Sequence, residues 1–276
     1  MNTFWLMHRF KRATFGATMS KVLDRIVVGG LPTVRVSRAD FADLMVADCE
    51  KARLNRKDWE PKLVFSSNGQ GLALAGRDPT YHNLMMQASW IHADGQSVVL
   101  ASKMTRAPLP ERIATTDFFH DAAKAALRNG LSFYVLGASE RQNARAVERM
   151  LELYPGLKIA GRRNGYFSRD EEVEVCRDIR ESGADVLWVG LGKPLQELWC
   201  VRNRANLRGV GWIKTCGGLY SFLSGDSPRA PDWMQNLCLE WLFRSVKEPR
   251  RLGWRYLTTN PYSFYRLLRH TKMRPI

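Results

Sequence analysis

The chain has 276 residues, 45% of them hydrophobic and 25% charged, and its 42 Lys and Arg outnumber 27 Asp and Glu to give a formal charge of +15. This composition supports one large domain plus an appendage and excludes a disordered chain, while the charge favours polyanionic partners: nucleic acid, anionic lipid or pyrophosphate-bearing substrates. No apolar run approaches the roughly 20 residues of a membrane-spanning helix, and five scattered cysteines without a C-x-x-C pair imply a reducing, cytoplasmic setting.

In chain order, residues 1–20 form an N-terminal extension in which "FWLMHRFKR" mixes aromatic and basic side chains without a secretory apolar core. Further on, "ADGQ" follows the apolar run "MMQASWI" and sets Asp94 on an Asp-Gly turn where a strand ends. From about residue 115 the periodicity alternates. "TTDFFHDAAKAALRNG" reads as a helix stopped by Gly130, "LSFYVLGA" as a buried strand, and "ERQNARAVERMLELY" as a helix opened by Ser139 and Gln142. "RDEEVEVCRDIRES" repeats the Ser-to-Glu opening at Ser168 and Glu171, and "ADVLWVGLG" is a second short strand leading into the helix "KPLQELWCVRNRANL". Strands alternating with such helices predict an α/β fold with a Rossmann-like parallel sheet, whose ligands bind beyond the carboxyl ends of the strands. Asp94, Gly137, Gly190 and Gly192 all fall at such ends.

In "VGLGKPLQE", Pro194 suits a helix start, Gln196 lies in the first turn, and Gly190 and Gly192 let backbone approach a phosphate to which Lys193 adds charge. There is no P-loop motif, the dinucleotide glycine fingerprint is incomplete, and no D-x-D pair or metal-spaced histidines occur. A bound diphosphate then has to be neutralised by cationic side chains and helix amides. The last segment, residues 229–276, carries ten Lys or Arg against three acids, interleaved with Trp, Tyr and Phe. This composition fits a helical appendage on an anionic membrane surface, or equally a basic helical pair packed on its own domain. Arg244, Arg251 and Arg255, spaced seven and four apart, would share a helix face suited to clamping a diphosphate, although Pro249 breaks or kinks that helix.

Several segments in order, "FSSNGQGLALAGRDP", "HADGQSVVLAS", "PLPERIATTDFF", "NGYF", "VGLGKPLQELW", "GGLYSFLSG", "RAPDWMQ", "LEWLFR" and "EPRR", resemble the motifs of the WecG/TagA/CpsF glycosyltransferases, family 26, from about Lys21 to Tyr256. The resemblance implies a Rossmann-like catalytic domain over residues 21–225 and a C-terminal membrane and active-site appendage over residues 226–276. It also implies an inverting, metal- and cofactor-independent enzyme, peripheral on the inner face of the plasma membrane. Such enzymes move a sugar from a UDP-sugar to a polyprenyl-diphosphate-linked saccharide during polysaccharide synthesis.

Carried over by motif, Asp94 is the expected general base. Ser66 and Asn68 contact sugar or acceptor, Arg112 lies near phosphates, Tyr166 lines the nucleotide site or the core, and Gln196 binds substrate. Thr115 and Ser221 depart from a family Gly and Asp. A nucleic-acid-binding module and a non-catalytic sugar-nucleotide scaffold are the rival classes; no recognised RNA or DNA motif supports the first.

Overall fold

The computed structural model describes residues 23–272, so the expected extension over residues 1–20 lies outside the described residues. An antiparallel hairpin, β1 (Arg25–Val28) and β2 (Leu31–Val34), precedes helix α1 (Arg38–Leu54). Then follow β3 (Lys62–Ser67), α2 (Gly69–Arg77), α3 (Pro79–Met86), β4 (Trp90–Ala93), α4 (Gln96–Ser102), α5 (Thr115–Asn129), β5 (Ser132–Gly137) and α6 (Glu140–Leu153). The chain continues through β6 (Lys158–Arg163), α7 (Glu172–Glu181), β7 (Val186–Gly190), α8 (Leu195–Asn203), β8 (Trp212–Thr215) and α9 (Leu219–Leu223). It ends with α10 (Asp232–Asn236), α11 (Glu240–Lys247) and α12 (Trp254–Arg269).

β3 to β8 form one parallel sheet in the order β4-β3-β8-β7-β5-β6. Both faces are covered, which is why the central strands read as almost unbroken apolar runs. Leu63, Phe65, Leu187, Val189 and Ile213 pack under residues of α2, α3, α7 and α8. On the opposite face Val64, Phe133, Val135, Trp188 and Trp212 pack under α1, α5 and α6.

Local chemistry sets the helix ends. Gly130 stops α5 at φ +62, the left-handed conformation a glycine adopts without cost. Ser139 caps α6 by accepting from the Gln142 N–H, as the spacing predicts. At α7 the predicted pair is displaced: the Glu171 carboxylate takes the Ser168 N–H at 2.7 Å and the helix begins only at Glu172.

β5 leads outward to β6, whereas β7 leads inward to β8, so the connections diverge between these two neighbours and open a crevice at their carboxyl ends. α12 is fastened to the other side of the sheet. Tyr262 donates to the Gly76 carbonyl, Arg77 stacks on the Tyr262 ring, and Arg266 donates to the carbonyl of Gly29 in the hairpin turn.

Candidate active site at the carboxyl ends of the strands

Asp94 stands immediately after β4, half-buried at the sheet's rim. Its own N–H is tied to the Ser67 carbonyl at the end of β3. The carboxylate accepts twice: Oδ2 from the Asn68 amide at 2.9 Å and Oδ1 from the Thr115 N–H at 2.8 Å. Thr115 opens α5 and Asn68 caps α2, so two helix N-termini aim partial positive charge at one carboxylate. Gly95 has φ −89, an ordinary extended value, so the expected need for positive φ is not what selects it. A Cβ there would approach the Asn68 Cα at 3.3 Å, and this close passage is what favours glycine.

Burial pushes the Asp94 carboxyl up, but charge on the adjoining His92 ring when that ring is protonated, the Asn68 and Thr115 bonds and the Lys214 ammonium outweigh it and hold it below the ordinary range. Asp94 is therefore ionised at neutral pH, and it forms no ion pair among the described residues. Two deeply buried bases lie beneath it. His92 is held well below its usual pKa by burial and by Lys214; its Nδ1 lies 2.9 Å from the Ile113 carbonyl, while Nε2 has no partner. Lys214, in the centre of β8, is brought down by burial to about 8, against the opposing pull of Asp94.

Asn68 both accepts from the Gly71 N–H and donates to Asp94, so its amide orients the carboxylate as well as capping α2. Ser66 is 5% exposed inside β3, paired in register with His92 rather than presented to a sugar. Lys193 does not face a phosphate as its sequence position predicts. Its buried ammonium turns inward to the Glu197 carboxylate at 2.8 Å and the Ser66 carbonyl at 3.0 Å, and Glu197 and the Tyr81 hydroxyl raise its pKa despite burial. Gln196, 1% exposed, is a strut: Oε1 accepts from the Gly217 N–H and Nε2 donates to Glu197, which ties the loop after β7 to the loop after β8.

The crevice between β5 and β7 is lined by glycine for steric reasons. A Cβ on Gly137 would lie 2.4 Å from the Gly190 carbonyl oxygen, and one on Gly190 would meet the Tyr220 ring at 2.6 Å. Gly192, at φ +80, has open space where a side chain would stand. Tyr166 follows Gly165, which packs against Gly137, and it is 83% exposed. The core placement is thereby excluded, and the ring stands free beside the crevice.

Arg112 joins the sheet domain to the last helices. Its guanidinium donates to Gln235 of α10 at 2.6 Å and pairs with Glu240 of α11 at 3.4 Å and with Asp117 at 3.7 Å. Next to it a cavity of about 600 Å³ is lined by Arg38, Lys103, Arg112, Arg229, Asp117 and Asp232, among others. Arg244, on α11, stacks on the Phe222 ring and approaches Gly218 beyond β8. The three tail arginines do not share one α-helix face. α11 ends at Lys247, a π-helical turn spans Pro249–Gly253, and α12 follows, so Arg244, Arg251 and Arg255 sit on three elements. Pro249 opens that turn, in keeping with the expected break; the Arg251 side chain lies outside the described residues.

The sequence profile described as "Glycosyl transferase WecG/TagA/CpsF family" matches residues 26–275. The chain belongs to that family. Among similar proteins is an N-acetylglucosaminyldiphosphoundecaprenol N-acetyl-beta-D-mannosaminyltransferase of Bacillus spizizenii, 31% identical over 88% of this chain and 93% of its own length. A protein of the same name from Bacillus subtilis is 28% identical over 89% and 91%, and one from Staphylococcus aureus is 29% identical over 69% and 74%. Within this glycosyltransferase framework the Thr115 departure leaves Asp94 intact, because the bond uses the backbone N–H. His92, Lys214 and Glu197 escaped the sequence reading. Only the isolated charge in the apolar strand "WIKT" could have flagged Lys214.

Proposed function

We propose that this glycosyltransferase moves N-acetylmannosamine from its UDP-linked form to a hydroxyl of a polyprenyl-diphosphate-linked N-acetylglucosamine, with inversion and without a metal. The observation that carries the reading is Asp94: an ionised, half-buried carboxylate, fixed by two donors and unpaired with any cation among the described residues, at the rim where parallel sheets bind ligands. Each of its oxygens keeps a second lone pair for an incoming hydroxyl. A carboxylate below the ordinary pKa range is a weak base, so the proton moves late, once the anomeric carbon has gained oxocarbenium character. The β linkage in the relatives' names is what a single displacement on an α-linked donor yields.

The crevice at Gly137, Gly190 and Gly192 receives the nucleotide, with Tyr166 beside it. Asp94 lies three to four strand positions away, about 15–19 Å at the usual strand spacing, the reach of an extended sugar nucleotide. The departing diphosphate is met by backbone amides of the glycine loops and by arginines of the appendage, Arg244 foremost. Arg112 serves by holding α10 and α11 in place. No helix among the described residues is long and apolar enough to cross a membrane. Nevertheless α11 has no buried residue, and Trp233, Trp241, Val246 and Trp254 are exposed beside Arg244, Lys247 and Arg250. This surface rests on the anionic inner face of the membrane, where the lipid-linked acceptor lies.

The test is transfer by the purified protein from radiolabelled UDP-N-acetylmannosamine to a synthetic lipid-diphosphate N-acetylglucosamine, with chelator present and the product anomer read by NMR. A β-linked disaccharide lipid is expected. Absence of transfer from this donor, with turnover of another UDP-sugar, would overturn the donor assignment.

A further inference from the structure

Lys214 is fully buried in the middle of β8, between Val64 of β3 and Trp188 of β7 in register. A buried ammonium is costly unless paired, yet this one forms no ion pair among the described residues. It donates to the Thr215 carbonyl at 2.7 Å and reaches the Thr115 hydroxyl at 3.5 Å. Thr115 is the residue whose N–H holds Asp94 Oδ1, so one residue touches both the buried cation and the rim carboxylate.

The other positive groups nearby are accounted for. His92 lies beside Asp94 but is neutral at physiological pH, because burial and the Lys214 charge both oppose its protonation. Lys193 is spent on Glu197, and Arg112 on Gln235, Glu240 and Asp117. The groups that bear on Lys214 are Asp94 at the rim, Cys216 on its own segment, and the Lys193 and Glu197 pair from the loop and helix after β7. Those on Asp94 are His92 from β4, Asn68 at the head of α2, Thr115 at the head of α5 and Lys214 from β8. Within this set Lys214 is the unneutralised charge, and in a desolvated interior its field reaches the carboxylate with little screening.

We infer that Lys214 is a positioning residue for the transfer: its buried ammonium, reaching Thr115 from beneath, adds to the Asn68 and Thr115 donors that hold the Asp94 carboxylate at the rim. The inference rests on the reading of Asp94 as base, and its test separates the two. Lys214→Met removes the charge while keeping an unbranched chain of similar length, and Lys214→Gln also keeps a donor for the Thr215 carbonyl. In the full-length protein, the Asp94 carboxyl is titrated by ¹³C NMR, with Asp94→Asn for assignment, and the acid limb of kcat/KM is followed alongside it.

Both variants should move the carboxyl titration and the acid limb upward together, the His92 ring rising with them, while the donor KM at pH 8 stays put. A carboxyl titration unchanged in Lys214→Met, or restored to the wild-type position in Lys214→Gln, would overturn the inference. A carboxyl that moves while the acid limb does not would sustain Lys214's role and remove Asp94 as the base.

Discussion

Two aspartates at opposite ends of the parallel sheet are held in opposite ways. At the amino ends Asp185, 2% exposed, is saturated: Arg53 grips both of its oxygens at 2.7 Å, and the Ser132 N–H and hydroxyl add bonds at 2.7 and 3.0 Å. At the carboxyl ends, among the described residues, Asp94 has donors but no cation, Lys214 is a cation without a carboxylate, and His92 Nε2, Ser67 Oγ and Glu197 Oε2 are buried without partners. Satisfied polarity stabilises, and polarity left incomplete is where a ligand or a proton still has something to gain. On the proposed function, one rim builds the domain and the other carries the chemistry.

Exchanging the two aspartates should therefore give crossed phenotypes. Asp94→Asn is expected to lower turnover about 10²–10⁴-fold, the range for loss of a general base, with UDP binding by calorimetry and the melting temperature little changed. Asp185→Ala should lower unfolding free energy in urea by about 2–4 kcal/mol, since it strands the partly exposed Arg53, and leave turnover per folded molecule within twofold. If Asp94→Asn unfolds the protein, or Asp185→Ala silences it while folded, the division between rims fails.

Acid–base behaviour should differ as well. Lys214 binds its proton with a pKa near 8 when folded, against 10.5 as an ordinary lysine, so between these values the unfolded chain holds a proton that the native state has released. Stability from this group therefore rises with pH across that window, by on the order of 3 kcal/mol. Buried Cys49, Cys176, Cys200 and Cys216, with thiol pKa values raised by burial, act with the opposite sign over this range. In chemical denaturation, the change in stability between pH 8 and pH 10 should therefore be more favourable in wild type than in Lys214→Met by about that amount, and Asp185→Ala should match wild type.

The smallest contrast concerns lipid. The amino rim is also basic, with Arg56, Lys57, Arg180 and Arg208 around a cavity of about 340 Å³, but among the described residues the exposed tryptophans belong to the appendage. Replacing Trp241, Val246 and Trp254 by Ser should weaken sedimentation with phosphatidylglycerol vesicles roughly tenfold, on the order of 1.4 kcal/mol. Neutralising Arg180 and Arg208 should weaken it no more than twofold, and equal losses would mean that bulk charge alone directs the protein to the bilayer.

Much of the scaffold was legible because local chemistry and global fold agree there. α5 carries apolar residues at helical spacing and a stop glycine, and β5 and β7 are short apolar runs bounded by turn residues. β6, "KIAGRR", escaped because an edge strand exposed to solvent loses the apolar signature, and β8 because a lysine interrupts four residues of strand. At the site, the position of Asp94 could be read from its motif, but its donors could not: Thr115 acts through its backbone, 21 residues away. Gln196 and Lys193 show the converse limit. Their places in the chain fit a phosphate loop, while their side chains are drawn inside by Glu197, whose burial no periodicity announces.

The most direct measurement of the central claim is the single-turnover transfer rate of Asp94→Ala with donor saturating, with and without added formate. A fall of at least a hundredfold, partly reversed by formate with the pH dependence of its ionisation, is the predicted result. An Asp94→Ala protein that transfers sugar within tenfold of the wild-type rate would contradict it.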